Sequence, residues 1–213
     1  MALAIVMALV LFGGAGTVRY TEAWIYLGIF FTASLLITLY LMKHDPALLE
    51  RRVEAGPWAE KRAVERIIMS LASLGFIGLL LIPALDHRFH WSTVPLPVAI
   101  AGDILTALSF IVIFFVYREN TFSSAVVDVM PGQRVVDTGP YSIVRHPMYA
   151  AALLLFIGTP LALGSWLGLA AFPAALPPLL WRLFDEEALL SRTLPGYTTY
   201  CSRVRWRLVP GVF

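Results

Sequence analysis

Hydrophobic and polar positions divide the chain into long apolar stretches separated by shorter polar ones. Crossing the ~30 Å hydrocarbon core of a bilayer takes about 20 mostly apolar residues. Ala23–Met42 and Ile67–Leu85 meet that length without a charge. Pro95–Tyr117 also meets it, with one acid, Asp103, inside. Ala2–Gly16 is apolar but short. Met148–Phe184 holds a single charge, Arg182. As one helix it would be ~55 Å long, too long for a bilayer. Gly158, Pro160, Gly164 and Ser165 near its middle read as a turn, which makes the stretch a tight helical hairpin. Pro173, Pro177 and Pro178 predict a kink in the second arm.

The connection Lys43–Arg66 has a pattern of its own. Asp45-Pro46 reads as an N-cap followed by a proline at the first helical position. A short helix through Glu54 follows, and Gly56-Pro57 stops it. Its mixed charges suit a helix lying at the membrane surface, or equally a solvated connector. The chain start lacks the charged n-region of a secretory signal peptide. The run Gly13–Gly16 lacks the preceding strand and third glycine of a dinucleotide loop, and Arg19 stands at that glycine's place.

Composition sharpens this pattern. Of 213 residues 59% are apolar and 14% charged, against about 25% charged in soluble domains. A soluble single domain is therefore excluded, and so is intrinsic disorder. The single cysteine, Cys201, excludes disulfide frameworks and multi-cysteine metal or redox sites. A net charge of +2 gives no case for nucleic acid. Of the sixteen Lys and Arg residues, all but Arg19 and Arg88 fall in Lys43–Arg66, Arg118–Arg145 or from Arg182 onward. These segments alternate with the spans, so both termini and the two long loops are expected on the cytoplasmic side. Trp24, Tyr26, Tyr40, Trp91, Tyr117, Trp166 and Trp181 lie near span ends, as in an aromatic belt.

Polar chemistry is concentrated in Glu119–Tyr149, before the hairpin, and Asp185–Phe213, after it. A hairpin brings its two ends together. Arg145-His146-Pro147 should therefore lie close to Asp185-Glu186-Glu187, in a pocket walled by membrane helices. Pro147 suits a helix start with His146 at the cap, and a helix start suits a carboxylate or phosphate. Arg145 adds a fork of donors for the same group. Tyr149 shares the helix face of His146. Glu186 and Glu187 cannot point the same way on a helix. Arg182, one turn before Glu186, is placed to neutralise it. The arginines of Arg203-Val204-Arg205-Trp206-Arg207 suit anionic headgroups or an anionic substrate, or plain anchoring at the membrane surface.

The string Gly139-Pro140-Tyr141-Ser142-Ile143-Val144-Arg145-His146-Pro147-Met148-Tyr149, the downstream pair Glu186-Glu187, then Leu190, Pro195-Gly196-Tyr197, Tyr200 and Arg203 through Pro210, resemble one family in order and spacing. It is that of the integral-membrane methyltransferases of the isoprenylcysteine carboxyl methyltransferase and phospholipid methyltransferase type. The resemblance extends to Glu119-Asn120-Thr121-Phe122 and, more loosely, to Asp45 through Arg51. Family members often carry a histidine six residues before the motif's first glycine; here that residue is Gln133.

The resemblance implies an all-α integral membrane protein with five to six transmembrane helices. These include a C-terminal helical hairpin, a cytoplasmic catalytic region and a C-terminal helix. Residues 1–213 then form a single domain, with the N-terminal spans in 1–117 and the cofactor-binding and catalytic half in 118–213. The implied methyl donor is S-adenosylmethionine, bound without a Rossmann domain. Its implied contacts are Gln133, Val135, Val136, Gly139, Tyr141, Arg145, His146, Pro147, Tyr149 and Glu186. Glu186, Glu187, Arg203 and Arg207 are the candidate catalytic residues. A lipophilic acceptor would enter from the bilayer, and no metal or nucleic acid is expected.

On physical grounds the helix start at Pro147 with Arg145 and His146 suits the donor's carboxylate, and Glu186 or Glu187 its ammonium. Tyr141 or Tyr149 would flank the sulfonium or adenine. A carboxylate acceptor needs a cation to orient it, which Arg203, Arg205 or Arg207 could supply. An amine acceptor needs a glutamate as base, and a thiol needs a lowered pKa. The expected reaction is most like isoprenylcysteine carboxyl O-methylation. Phospholipid (phosphatidylethanolamine) N-methylation and small-thiol S-methylation are the alternatives. The non-enzymatic alternative, a small transporter or scaffold, rests on Asp103. An acid inside a span is costly unless paired or wetted, and a hydrogen bond to Ser or Thr on a neighbouring span would equally account for it.

Overall fold

The computed structural model describes residues 2–53, 56, 58–60, 62–126 and 128–213. Among them every regular element is helical. Helix α1 (Ala2–Ala8) runs into a π-helical turn at Leu9–Gly13. Helix α2 (Thr21–His44) opens with Glu22 in its first turn and closes with Lys43 and His44 in its last, both favourable to the helix dipole. Asp45 ends α2 and starts α3 (Pro46–Val53): its carboxylate accepts the Leu48 N–H at 2.9 Å, the N-cap bond expected from Asp45-Pro46. The expected limit at Glu54 and the Pro57 half of the stop lie outside the described residues. Gly56 has φ +104, a conformation that favours glycine.

Helix α4 (Ala63–Phe89) contains a predicted span and outlasts it at both ends, and α5 (Leu96–Glu119) starts one residue into its predicted span and outlasts it at the C-terminal end. The added turns carry charge, such as Glu65, Asp86 and Arg118. Helical backbone bonding does not stop where the apolar run stops. The predicted hairpin is α6 (Pro147–Ala162) and α7 (Phe172–Thr193), with a 3-10 turn at Leu167–Ala171 before α7. The reversal falls at Gly164 (φ +73) and Ser165, while Gly158 and Pro160 lie within α6. Helix α7 is continuous through Pro173, Pro177 and Pro178. A last short helix, α8, covers Tyr197–Arg203. Thr21–His44, Ala63–Phe89, Leu96–Glu119 and Leu167–Thr193 are long and apolar enough to cross a membrane, and Ala2–Gly13 and Pro147–Ala162 are shorter apolar helices. The chain is an all-α membrane protein.

Two compact units make up the chain. The first comprises Met1–Leu36, Leu71–Phe110 and Ala152–Pro177. Its core includes Leu79, Ala171 and Ala175, with Ile82 and Phe156 packed on them. Here α5 and α6 cross at Gly102 and Gly158: a Cβ on Gly158 would lie 2.9 Å from the Gly102 carbonyl oxygen. Small residues at such a crossing let helix backbones approach closely. Buried polar groups fasten the same unit. The Tyr20 hydroxyl donates to Leu163 O at 2.6 Å and the Tyr26 hydroxyl meets Thr159 Oγ1 at 2.9 Å. The buried Asp86 carboxylate accepts from Ser92 N–H at 2.7 Å, from Ser92 Oγ and from Ser165 Oγ.

The second unit comprises Ile37–Ser70, Ile111–Ala151 and Pro178–Phe213. Leu194, Tyr197 and Tyr200 form a core against Val129, Val135, Leu190, Cys201 and Val204. Helix α3 is tied down by its arginines. Arg51 donates to Thr121 O, Arg52 donates to Ser124 O at 2.6 Å, and the Arg52 guanidinium lies 5.1 Å from the centre of the Tyr117 ring.

Candidate active site

The polar motifs singled out in the sequence gather in the second unit. Gly139-Pro140-Tyr141-Ser142 forms a 3-10 turn with proline in its first positions. Gly139 has φ +55, and a Cβ there would stand 2.5 Å from Glu119 Cγ. Both facts call for glycine. Thr138 Oγ1 donates to Glu119 Oε2 at 2.9 Å, and Asn120 Nδ2 donates to the Tyr141 hydroxyl at 2.9 Å. Burial pushes the Tyr141 phenol up to about 12, so it stays protonated at neutral pH. Tyr200 O–H donates to Tyr141 O at 2.7 Å. The motif is thus held by the end of α5 and by α8.

Arg145 N–H and His146 N–H donate to Trp206 O and Arg207 O, each at 2.9 Å, which pins the approach to α6 against the tail. Pro147 opens α6, and His146 O accepts the Ala150 N–H at 3.0 Å. The two ends of the hairpin meet as their topology requires. Glu187 Oε1 lies 3.2 Å from both Arg145 Nη1 and His146 Nε2, and Glu187 Oε2 accepts from Arg207 Nε at 3.0 Å. Glu186 Oε2 accepts the Tyr149 hydroxyl at 2.6 Å. Successive helix residues point about 100° apart, and these neighbours consequently live in different surroundings. Glu187 has two guanidinium groups on it. Glu186, among the described residues, has a neutral phenol.

Arg182 differs from its sequence expectation. Helical spacing aims it at Glu186, but its ion pairs are with Glu60 (2.8 Å) and Glu65 (3.0 Å). It also donates to Ala125 O at 2.7 Å and acts electrostatically on the Tyr149 hydroxyl. One turn on, Asp185 pairs with Arg62 through two hydrogen bonds of 2.5 and 2.7 Å. Glu60 and Glu65 had no role in the sequence expectations. The available signal was an acid, Glu65, in the first turn of a span, where an unpaired charge is expensive.

The remaining candidates are placed as follows. Gln133 Oε1 accepts the Met130 N–H at 2.9 Å, closing its own turn. Val135 packs on the Leu194–Tyr200 core, and Val136 is half-buried. Arg203 forms an exposed ion pair with Asp137 at 2.7 Å. The Arg207 guanidinium lies 5.6 and 5.2 Å from the ring centres of Phe184 and Phe213. In the first unit, Asp103 Oδ1 is buried and has no hydrogen-bond partner, so the expected Ser or Thr contact is not made by that oxygen.

This arrangement suits a zwitterion. Among the described residues no cation pairs with Glu186. Beside it, Arg145 and Arg207 together exceed the single charge of Glu187. Two buried donors near them, Arg145 Nε and the Tyr197 hydroxyl, lack a hydrogen-bond partner among the described residues, and burial raises the Tyr197 phenol well above its ordinary value. A ligand bearing an ammonium and a carboxylate close together would satisfy both sets. The family model for phospholipid methyltransferase matches residues 98–195. No curated protein matches the chain.

Proposed function

We propose, from the match of residues 98–195 to the family model for phospholipid methyltransferase, that the chain is an integral-membrane enzyme carrying out S-adenosylmethionine-dependent methyl transfer to a lipophilic acceptor. The observation that carries the proposal is the unequal compensation of two adjacent acids among the described residues: Glu187 is held by Arg145, His146 and Arg207, and Glu186 by Tyr149. Glu186 receives the ammonium of the donor, and Tyr149 fixes its rotamer. The donor's carboxylate goes to the start of α6, where Arg145 and the helix N-terminus supply positive potential. S-adenosylmethionine, when bound, supplies an electrophilic methyl on a sulfonium. The protein's part is alignment of the acceptor and exclusion of water, which can supply effective molarities of ~10⁵ M or more. The acceptor reaches the site from the bilayer, and by the sidedness of Lys and Arg the site faces the cytoplasm.

For the acceptor, the arginines of the tail favour a carboxylate such as that of an isoprenylcysteine. A phospholipid amine is the second reading, favoured by the description of the matched family and by Glu186, the acid free to act as a base. Calorimetry of the purified protein with S-adenosylmethionine should give heat of binding; none at millimolar concentration sinks the proposal. Labelled methyl transfer into a total membrane extract separates the acceptors. An ester product releases methanol in base, whereas a methylated amine or thioether does not.

A further inference from the structure

The displaced pairing of Arg182 points beyond the donor contacts. Arg182 and Glu186 are four residues apart on the continuous helix α7, a spacing at which opposite charges ordinarily meet. They also share a neighbour: the Tyr149 hydroxyl donates to Glu186 and feels the charge of Arg182. By spacing and by this shared neighbour, Glu186 is the alternative partner for Arg182. Two acids from outside the family-matched segment hold it elsewhere. Glu65 is 0% exposed, and the Asp185 carboxyl stands beside it. A buried carboxylate in that state is costly unless a cation stands against it, and Arg182 Nη1 does so at 3.0 Å. Glu60, also buried, takes Nη2 at 2.8 Å. The other acid of this cluster on α7, Asp185, is matched by Arg62.

We propose that Glu60 and Glu65 form a holding site for Arg182 that keeps its guanidinium off Glu186. This leaves the Glu186 carboxylate available to the donor's ammonium group. Both acids are positioning residues. They act through Arg182 and touch neither donor nor acceptor. The inference rests on the reading of Glu186 given above.

The test is calorimetric binding of S-adenosylmethionine to the purified full-length protein. The double substitution Glu60→Gln with Glu65→Gln should weaken binding about tenfold, equivalent to about 1.4 kcal/mol, because the released Arg182 turns to Glu186. Adding Arg182→Gln should restore binding to within about threefold of wild type. A merely structural role for the cluster predicts no such rescue. Unchanged binding in the double variant, or a triple variant no better than the double, overturns the proposal. If the double variant does not fold, Glu65→Gln alone against Glu65→Gln with Arg182→Gln makes the same comparison. Glu186→Gln belongs in the series. If it binds like wild type, the donor reading itself has failed. If it loses binding while the double variant keeps it, only the holding-site inference has failed.

Discussion

The two compact units use their polar groups in opposite ways. In the first, buried polar side chains tie backbone to backbone: Tyr20 to Leu163, and Asp86 to Ser92 and Ser165. All of the described ion pairs lie in the second, where Arg62, Arg145, Arg182, Arg203 and Arg207 each meet an acid. Helices surrounded by lipid gain nothing from apolar burial against one another, so they rely on close packing and internal hydrogen bonds. A site that binds a charged molecule must keep charge unmatched at chosen atoms, and that requires the surrounding charges to be matched carefully. The first unit is fastened by hydrogen bonds, and in the second, on the function proposed here, Glu186 is the acid left for the ligand.

This contrast can be broken most sharply at Glu186. Glu186→Gln should weaken S-adenosylmethionine binding about 30-fold or more, the usual cost of removing one partner of a desolvated charge pair, with little change in unfolding temperature. Calorimetry and thermal unfolding of the same sample check both halves. The complementary substitution is Gly158→Ala in the first unit. Its Cβ would press on the Gly102 carbonyl, and overpacking of this kind costs about 1–3 kcal/mol. Denaturant unfolding in micelles should show that loss, and the protein that remains folded should bind donor normally. Asp86→Ala follows, at about 1–3 kcal/mol, because it strands the donors of Ser92 and Ser165; equal stability to wild type would show that the carboxylate does not fasten that unit. The smallest effect belongs to Arg203→Gln. Its ion pair with Asp137 is exposed, 62% on the arginine side, and such pairs contribute less than about 1 kcal/mol.

The helices were legible wherever apolar length alone decides the outcome. Ile67–Leu85 lies inside α4, Pro95–Tyr117 coincides with α5 from its second residue on, and Gly164-Ser165 marks the hairpin reversal. The helix ends were less legible, because their charged last turns are helical without being apolar. Within the second unit, the meeting of Arg145 and His146 with Glu187 was legible from hairpin topology. The partners of Arg182 were not. Spacing along one helix made Glu186 the obvious choice, while Glu60 and Glu65 lie more than a hundred residues away in sequence and reach it only through packing. Gln133, which the resemblance implies as a donor contact, has a local bond that spacing did not reveal: its amide oxygen closes its own turn.

Solvent and class were settled by the chain alone. A low charge content and span-length apolar runs admit only a helical membrane protein, and the ordered motif from Gly139 to Tyr149 with Glu186-Glu187 lies largely in the segment that matches the phospholipid methyltransferase family model. Which of the two acids the described arginines pair with was decided by the folded structure. Adjacent residues on a helix point in different directions, and only tertiary packing determines that Arg145, His146 and Arg207 converge on one of them while Arg182 is held away from the other.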